Sequence, residues 1–191
     1  TYGGGLKIAF IVRRFPTLSE TFLLNQITGL LDLGHSVDIF RTIPSEQNNV
    51  QPVVKEYDLL KRTRSVRKPT SIPGRIPGGL RILVSGLFRN PCLMLRALNV
   101  FKYGRKAGSL RYLYLASSFT GSYDIVHCHY GMLGDIGALL KDLGARTGPV
   151  LTTFHGFDIT THLQSHGNDC YQNLFKKGDI FLPICENWRR K

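Results

Sequence analysis

From Leu59 to Tyr123 the chain contains no aspartate and no glutamate, yet thirteen of its lysines and arginines fall in those 65 residues. The chain as a whole carries 25 basic and 13 acidic residues, a net charge of +12. Its flanks sum to −1, so one internal segment holds the whole imbalance. Cysteine is scarce as well. Cys92, Cys128, Cys170 and Cys185 lie far apart and form no C-x-x-C pair, so neither a disulfide framework nor a zinc ribbon is indicated and a reduced, intracellular compartment fits best. Long apolar runs are missing. Leu6 to Val12 is seven residues long and ends in Arg13-Arg14, the reverse of a signal peptide's order. The stretch from Leu80 to Phe101 is broken by Arg81, Arg89, Asn90, Pro91 and Arg96, so it does not read as a membrane span. There is no internal repeat.

The 191 residues are 42% hydrophobic and 20% charged, enough for one domain or a large lobe of a two-lobed protein with its own core. Apolar strands are expected at Leu6 to Val12, Ser36 to Arg41, Asp124 to Cys128, Val150 to Phe154 and Asp179 to Ile184. Helices are expected between them, at Thr17 to Leu33 with Gly34 as its C-cap, at Leu133 to Ala145 and at Cys170 to Lys176. Thr17-x-x-Glu20 has capping-box spacing. Strands of continuous apolar character that alternate with helices predict a doubly wound α/β fold on a mainly parallel sheet.

The basic segment opens with a Pro- and Gly-punctuated stretch, Lys68 to Gly79, read as flexible. A helical pattern follows. Leu80, Leu83, Val84, Leu87 and Phe88 keep 3.6-residue spacing, Pro91 suits a helix first turn, and Leu95, Leu98 and Phe101 continue the stripe. If the helix runs on through Pro91, Arg81, Arg89 and Arg96 share one side. Arg81, Arg89, Arg96 and Lys102 are then candidates for contact with an anionic membrane surface, and a solvated helix face is the plain alternative. Nucleic acid is not expected as a partner, because no reader motif accompanies the charge.

The carboxyl ends of the strands carry the polar signals. Leu151-Thr152-Thr153-Phe154 runs into His155-Gly156-Phe157-Asp158, and Ile125-Val126 runs into His127-Cys128-His129-Tyr130-Gly131. In an open parallel sheet such positions face the crevice where ligands bind. After the first strand a dinucleotide site would have G-x-G-x-x-G; Arg13 to Glu20 stands there instead, so NAD and FAD are not expected. That loop brings Arg13 and Arg14 beside a helix N-terminus, either to meet a phosphate or simply to be solvated. His127 and His129 point to the same side of their strand. A metal, hydrogen bonding to a substrate and a structural role all remain open for that pair, although the further ligands of a metal site are not evident.

Five ordered motifs together resemble a known family. They are Phe15-Pro16-Thr17-Leu18-Ser19-Glu20-Thr21-Phe22 with Asn25-Gln26-Ile27, Gly34-His35-x-Val37, His127-x-His129-Tyr130-Gly131, Thr153 to Asp158, and Gly178-Asp179-x-Phe181-Leu182-Pro183-Ile184. The chain resembles the N-terminal half of GT-B glycosyltransferases, and within them the family-4 retaining enzymes of exopolysaccharide assembly, including the colanic-acid type. That resemblance implies that residues 6–188 form the acceptor-side Rossmann-like lobe. A C-terminal lobe that binds the nucleotide-sugar and carries Glu-x7-Glu is absent from these residues, so this chain alone is expected to be inactive.

The resemblance further implies His155 as the catalytic contact, with Arg13, Ser19, Glu20, His129, Gly156 and Asp158 around the substrate. Asp158 either caps the following turn or steadies His155. The implied reaction needs neither a metal nor another cofactor, and the nucleotide-sugar is a substrate. The implied acceptor is a glycan or lipid-linked glycan, and the implied location is cytoplasmic, peripheral at the inner face of the membrane. Many family members have paired glycines after the first strand, where this chain has Arg13 to Pro16. A second reading from a different class is a non-catalytic α/β module that binds anionic lipid, glycan or a partner protein.

Overall fold

The computed structural model describes residues 4–45, 50–66, 69, 71–119 and 121–189. Arg67 and Lys68 of the basic segment lie outside the described residues. In chain order the elements are β1 (Lys7–Val12), α1 (Thr21–Asp32), β2 (Ser36–Arg41), α2 (Pro52–Glu56), β3 (Thr63–Ser65), α3 (Ile72–Leu87), α4 (Pro91–Ala97), α5 (Val100–Gly108) and α6 (Arg111–Ser118). They continue with β4 (Ile125–His129), α7 (Gly131–Leu143), β5 (Val150–Phe154), α8 (Gly156–Ile159), α9 (Thr161–His166), α10 (Gln172–Lys177), β6 (Ile180–Pro183) and α11 (Glu186–Arg189).

The six strands form one parallel sheet in the order β3-β2-β1-β4-β5-β6. This is the doubly wound order, with its reversal between β1 and β4. Alternate residues of each central strand feed opposite faces. Ile8, Phe10 and Val12 join Leu23, Leu24 and Ile27 of α1, while Ala9, Ile11, Val126 and Cys128 join Leu133 and Leu140 of α7. Burying each of the larger side chains contributes ~1.5–3 kcal/mol, which is why these strands read as largely continuous apolar runs.

Helix α7 reaches the sheet through small residues. A Cβ on Gly134 would come within 2.5 Å of Thr152 Oγ1, and one on Gly137 within 2.7 Å of Cys128 Sγ. One on Gly131 would lie 2.6 Å from the Phe154 ring. These glycines, three apart, make a smooth face that presses onto β4 and β5.

Several boundaries differ from those expected. Helix α1 begins at Thr21 rather than Thr17, because the chain before it is held down: Phe15 is buried, and Arg41 Nη1 donates to its carbonyl at 2.7 Å. The expected capping box is a side-chain pair instead, Thr17 Oγ1 donating to Glu20 Oε2 at 2.8 Å. Gly34 does close the helix, at φ +83° just beyond the C-cap Leu33.

The larger correction concerns residues 69–101. The stretch read as flexible is helical from Ile72, started by Ser71, whose Oγ accepts from Gly74 N, with a proline in the first turn. The helix then stops at Leu87. Asn90 and Asn99 each cap a new helix, accepting from Leu93 N and Lys102 N. There is no single helix through Pro91. Arg81 therefore belongs to α3, Arg89 to the link after it and Arg96 to the last turn of α4, on three separate pieces of backbone.

Candidate functional site

Three loops meet at the carboxyl edge beside the β1–β4 reversal: the one after β1, the start of α7 and the turn after β5. In β4, His127 and His129 face α1, and their rings stack at 4.5 Å between centroids. His155 follows β5 as the N-cap of α8 and stacks on His129 at 5.4 Å. The column is walled by Phe10 below and by Phe22 of α1 and Tyr130 above, the last two 4.8 Å and 4.5 Å from the His155 ring.

The ring protons are assigned from the hydrogen-bond pattern. Gln26 Nε2 donates to His127 Nδ1 at 3.4 Å, so the His127 proton sits on Nε2, which donates to Thr153 Oγ1 at 2.8 Å. His129 Nδ1 and His155 Nε2 are 3.2 Å apart, and His129 Nε2 is buried without a partner. An orphaned buried N–H is rarer than an orphaned lone pair, which assigns the His129 proton to Nδ1, donating to His155. His155 then carries its own proton on Nδ1, the nitrogen with no partner among the described residues. A half-buried imidazole with one free N–H is equipped to donate a hydrogen bond to an oxygen of a ligand.

The electrostatics agree with neutral rings. Burial, with the field of His155 second, lowers the pKa of His127 to about 4. Burial, followed by the fields of His127 and His155, lowers that of His129 to about 3. Burial lowers His155 too. Among the described residues no group of three or more His, Cys, Asp and Glu is arranged to hold a metal.

The remaining sequence candidates fall into two groups. Arg13 and Ser19 are exposed on the loop after β1, and Glu20 Oε1 accepts from Tyr130 Oη at 3.5 Å, so this loop touches the histidine column through Tyr130. Gly156 has open space where a Cβ would stand. His129 and Asp158 are turned inward. His129 is 3% exposed and meets His155 rather than solvent. Asp158 is fully buried, and its Oδ2 accepts from Gly131 N at 2.8 Å, which places a carboxylate at the N-terminus of α7 and ties α8 to it. Burial raises the Asp158 pKa to about 6 against the pull of Gly131 and other backbone N–H groups.

The sequence does not single out Phe22, Gln26, Tyr130 and Thr153 as site residues. The signal for the first two was present: Phe22 and Gln26 are four apart on α1 and share a face. Tyr130 takes φ +78°, a conformation uncommon outside glycine, at the N-cap of α7. Strain of this kind persists where surrounding structure holds it.

No family model matches the chain. It is 32% identical over 187 residues to "Putative colanic acid biosynthesis glycosyltransferase WcaL" of Escherichia coli, a match that covers 96% of this chain and 46% of that protein. The protein of the same name from Salmonella typhimurium matches with the same identity and coverage. "Amylovoran biosynthesis glycosyltransferase AmsK" of Erwinia amylovora is 28% identical over 193 residues, or 97% of this chain and 46% of that protein. The chain spans about half the length of the curated relatives it matches, and all three are named as biosynthesis glycosyltransferases.

The histidine assignments have a measurable consequence. Histidine in an unfolded chain titrates near 6.5. Because the folded pKa values are depressed, the contribution of neutral His127 and His129 to stability is complete above about pH 6.5 and is lost as the pH falls toward 4 and 3. Asp158 works in the opposite sense below about pH 6, so individual resonances are a cleaner readout than overall stability. In histidine-labelled protein, the ring signals of His127 and His129 are expected to stay at neutral-imidazole positions from pH 7 to pH 5. Titration of either near 6.5 in the folded protein would contradict the assignment.

Proposed function

We propose that this chain is the acceptor-side lobe of a retaining glycosyltransferase of GT-B type, of family 4, that moves a sugar from a nucleotide-sugar onto a lipid-linked glycan. The observation that carries the reading is His155, whose Nδ1 has no partner among the described residues, presented at the carboxyl edge of the sheet by a chain similar to glycosyltransferases along nearly its whole length. Sugar transfer develops positive charge at the anomeric carbon and negative charge on the departing diphosphate, so fixed dipoles and donors aimed at oxygens lower the barrier. A neutral His155 acts here as a donor that orients a sugar hydroxyl, with Gly156 leaving room for the substrate beside it. His129 and Tyr130 hold the ring. Arg13 supplies positive charge at the same edge. The nucleotide-sugar is bound by residues beyond this lobe, and the lobe alone is inactive.

The membrane is the second part of the proposal. Helix α3 packs in an unusual sense. Its glycines face the protein, Gly79 against Leu110 and Gly86 against Met94, while Ile72, Ile76, Leu80 and Val84 stand exposed at four-residue intervals. Leu87 and Phe88 continue the row, Phe88 being 88% exposed. Arg81 and Arg89 accompany it, and no acid occurs in the segment. An exposed apolar row with basic neighbours is the pattern of a helix lying in the interface of an anionic bilayer, each basic residue adding ~1 kcal/mol. No helix of the described residues is long and apolar enough to cross a membrane. Lys102, by contrast, is tied to Asp142 at 2.9 Å, and Arg75 is buried with Nε donating to Pro69 O at 2.7 Å.

Two measurements test this. In the full-length natural protein, His155→Ala is expected to reduce nucleotide release from a panel of nucleotide-sugars, in the presence of membrane-derived acceptor, by ~10²-fold. Activity within about twofold of the parent would remove His155 from the chemistry and favour the binding-module reading. In flotation, the protein should rise with anionic vesicles at low salt and far less with neutral ones. Leu80→Asp combined with Val84→Asp should abolish that flotation, and an unaffected variant or equal flotation with neutral vesicles would contradict the proposed contact.

A further inference from the structure

At the amino edge of the sheet, away from the histidine column, α3 and α4 border a cavity of about 580 Å³. Phe119, the C-cap of α6, and Arg146, which precedes β5, reach it from the loops that enter β4 and β5, and Tyr123 N donates to Arg146 O at 3.0 Å to join those loops. The floor is apolar. Leu93, Met94 and Phe119 are each 5% exposed or less, and Ile82 of α3 stands beside them. Gly86 lets α3 come down onto Met94, since a Cβ there would lie 2.5 Å from Met94 Sδ. Interiors keep few voids larger than a water molecule, so an apolar hollow of this size has ligand dimensions.

The rim carries one sign of charge. Arg89 and Arg146 line it, both exposed, and neither side chain has a partner among the described residues. Asn90, also on the rim, accepts from Leu93 N through Oδ1 at 3.1 Å, so its side-chain N–H groups remain as donors. No aspartate or glutamate among the described residues lines the cavity. Leu80 and Val84, in the exposed row of α3, are each two residues from Ile82, which puts them about 160° around the helix axis. The cavity therefore lies on the side of α3 turned away from that row.

We infer that this cavity binds a long-chain fatty acid, its carboxylate between Arg89 and Arg146 and its acyl chain on Leu93, Met94 and Phe119. A small anion would meet the rim and leave the floor wet, and an uncharged chain would leave the arginines unpaired; one molecule with both parts satisfies both. A guanidinium donates two parallel hydrogen bonds to a carboxylate, and Asn90 adds a further donor. A two-chain lipid held in the bilayer by the exposed row would lie on the far side of α3, whereas a fatty acid reaches the cavity from water as a single chain. Nothing in this site depends on sugar transfer.

Calorimetry of the full-length protein with fatty acids below their micellar concentrations tests the site without any transferase assay. Each CH₂ buried in the cavity should raise the affinity about fourfold. Decanoate should therefore bind at least tenfold more tightly than octanoate, and at least tenfold more tightly than decanol, which lacks the charge. Arg146→Gln, at an exposed position that leaves the fold intact, should weaken decanoate by about tenfold and leave decanol unchanged. Arg89→Gln should act in the same sense. Leu80→Asp with Val84→Asp, on the other side of α3, should bind decanoate as the parent does, which separates the cavity from adsorption to the exposed row. Affinity that does not rise with chain length, decanol as tight as decanoate, unchanged affinity in both arginine variants, or loss of binding in the Leu80 and Val84 variant would each overturn the inference. Lysophosphatidylglycerol bound more tightly than a fatty acid of equal chain length would also overturn it and give the cavity to a phospholipid.

Discussion

The close approach of α7 to β4 and β5 is the constraint on which the rest of the structure depends. Gly131, Gly134 and Gly137 leave no room for a Cβ between this helix and Phe154, Thr152 and Cys128. With α7 seated there, Cys128 is buried on its side and the alternating residues His127 and His129 must face α1. The same seating brings Gly131 N to the Asp158 carboxylate, which sets the turn that carries His155. The outer side of α7 then lines a groove with Met132, Ile136 and Leu139.

Helix α3 follows the same rule with a different outcome. Glycines again make the closest contacts, with Ile82 and Leu83 packed inward beside them, while Ile72, Ile76, Leu80 and Val84 are turned outward. Soluble surfaces rarely keep a contiguous apolar row of this kind without something to cover it. Together with the long acid-free segment, the row gives the domain one greasy, positive side, while the histidine column lies at the sheet edge.

The sheet was legible because its strands are continuous apolar runs between turn residues, and five of the six strands lie within a residue or two of where the pattern put them. The short β3, with sequence Thr63-Arg64-Ser65, gave no such pattern; it exists by pairing with β2. Residues 71–79 depart from the expected flexible stretch for a physical reason. Proline and glycine usually signal a break, but Pro73 sits in a first turn where its missing N–H costs nothing, and Gly78, Gly79 and Gly86 serve close packing. Composition alone does not separate these uses. At the site, the strand-end histidines were visible from their positions, whereas the inward turn of Asp158 and the walls supplied by Phe22 and Tyr130 depend on how α1 and α7 are placed.

The central claim is that the free nitrogen of His155 meets the sugar substrate. Nitrogen chemical shifts of labelled histidine in the full-length protein, followed while acceptor and nucleotide-sugar are added, test it most directly. The account predicts a change at His155 Nδ1, a smaller one relayed to His129, and none at His127. A His155 signal that stays in place while resonances elsewhere in the protein respond to the substrates would contradict it.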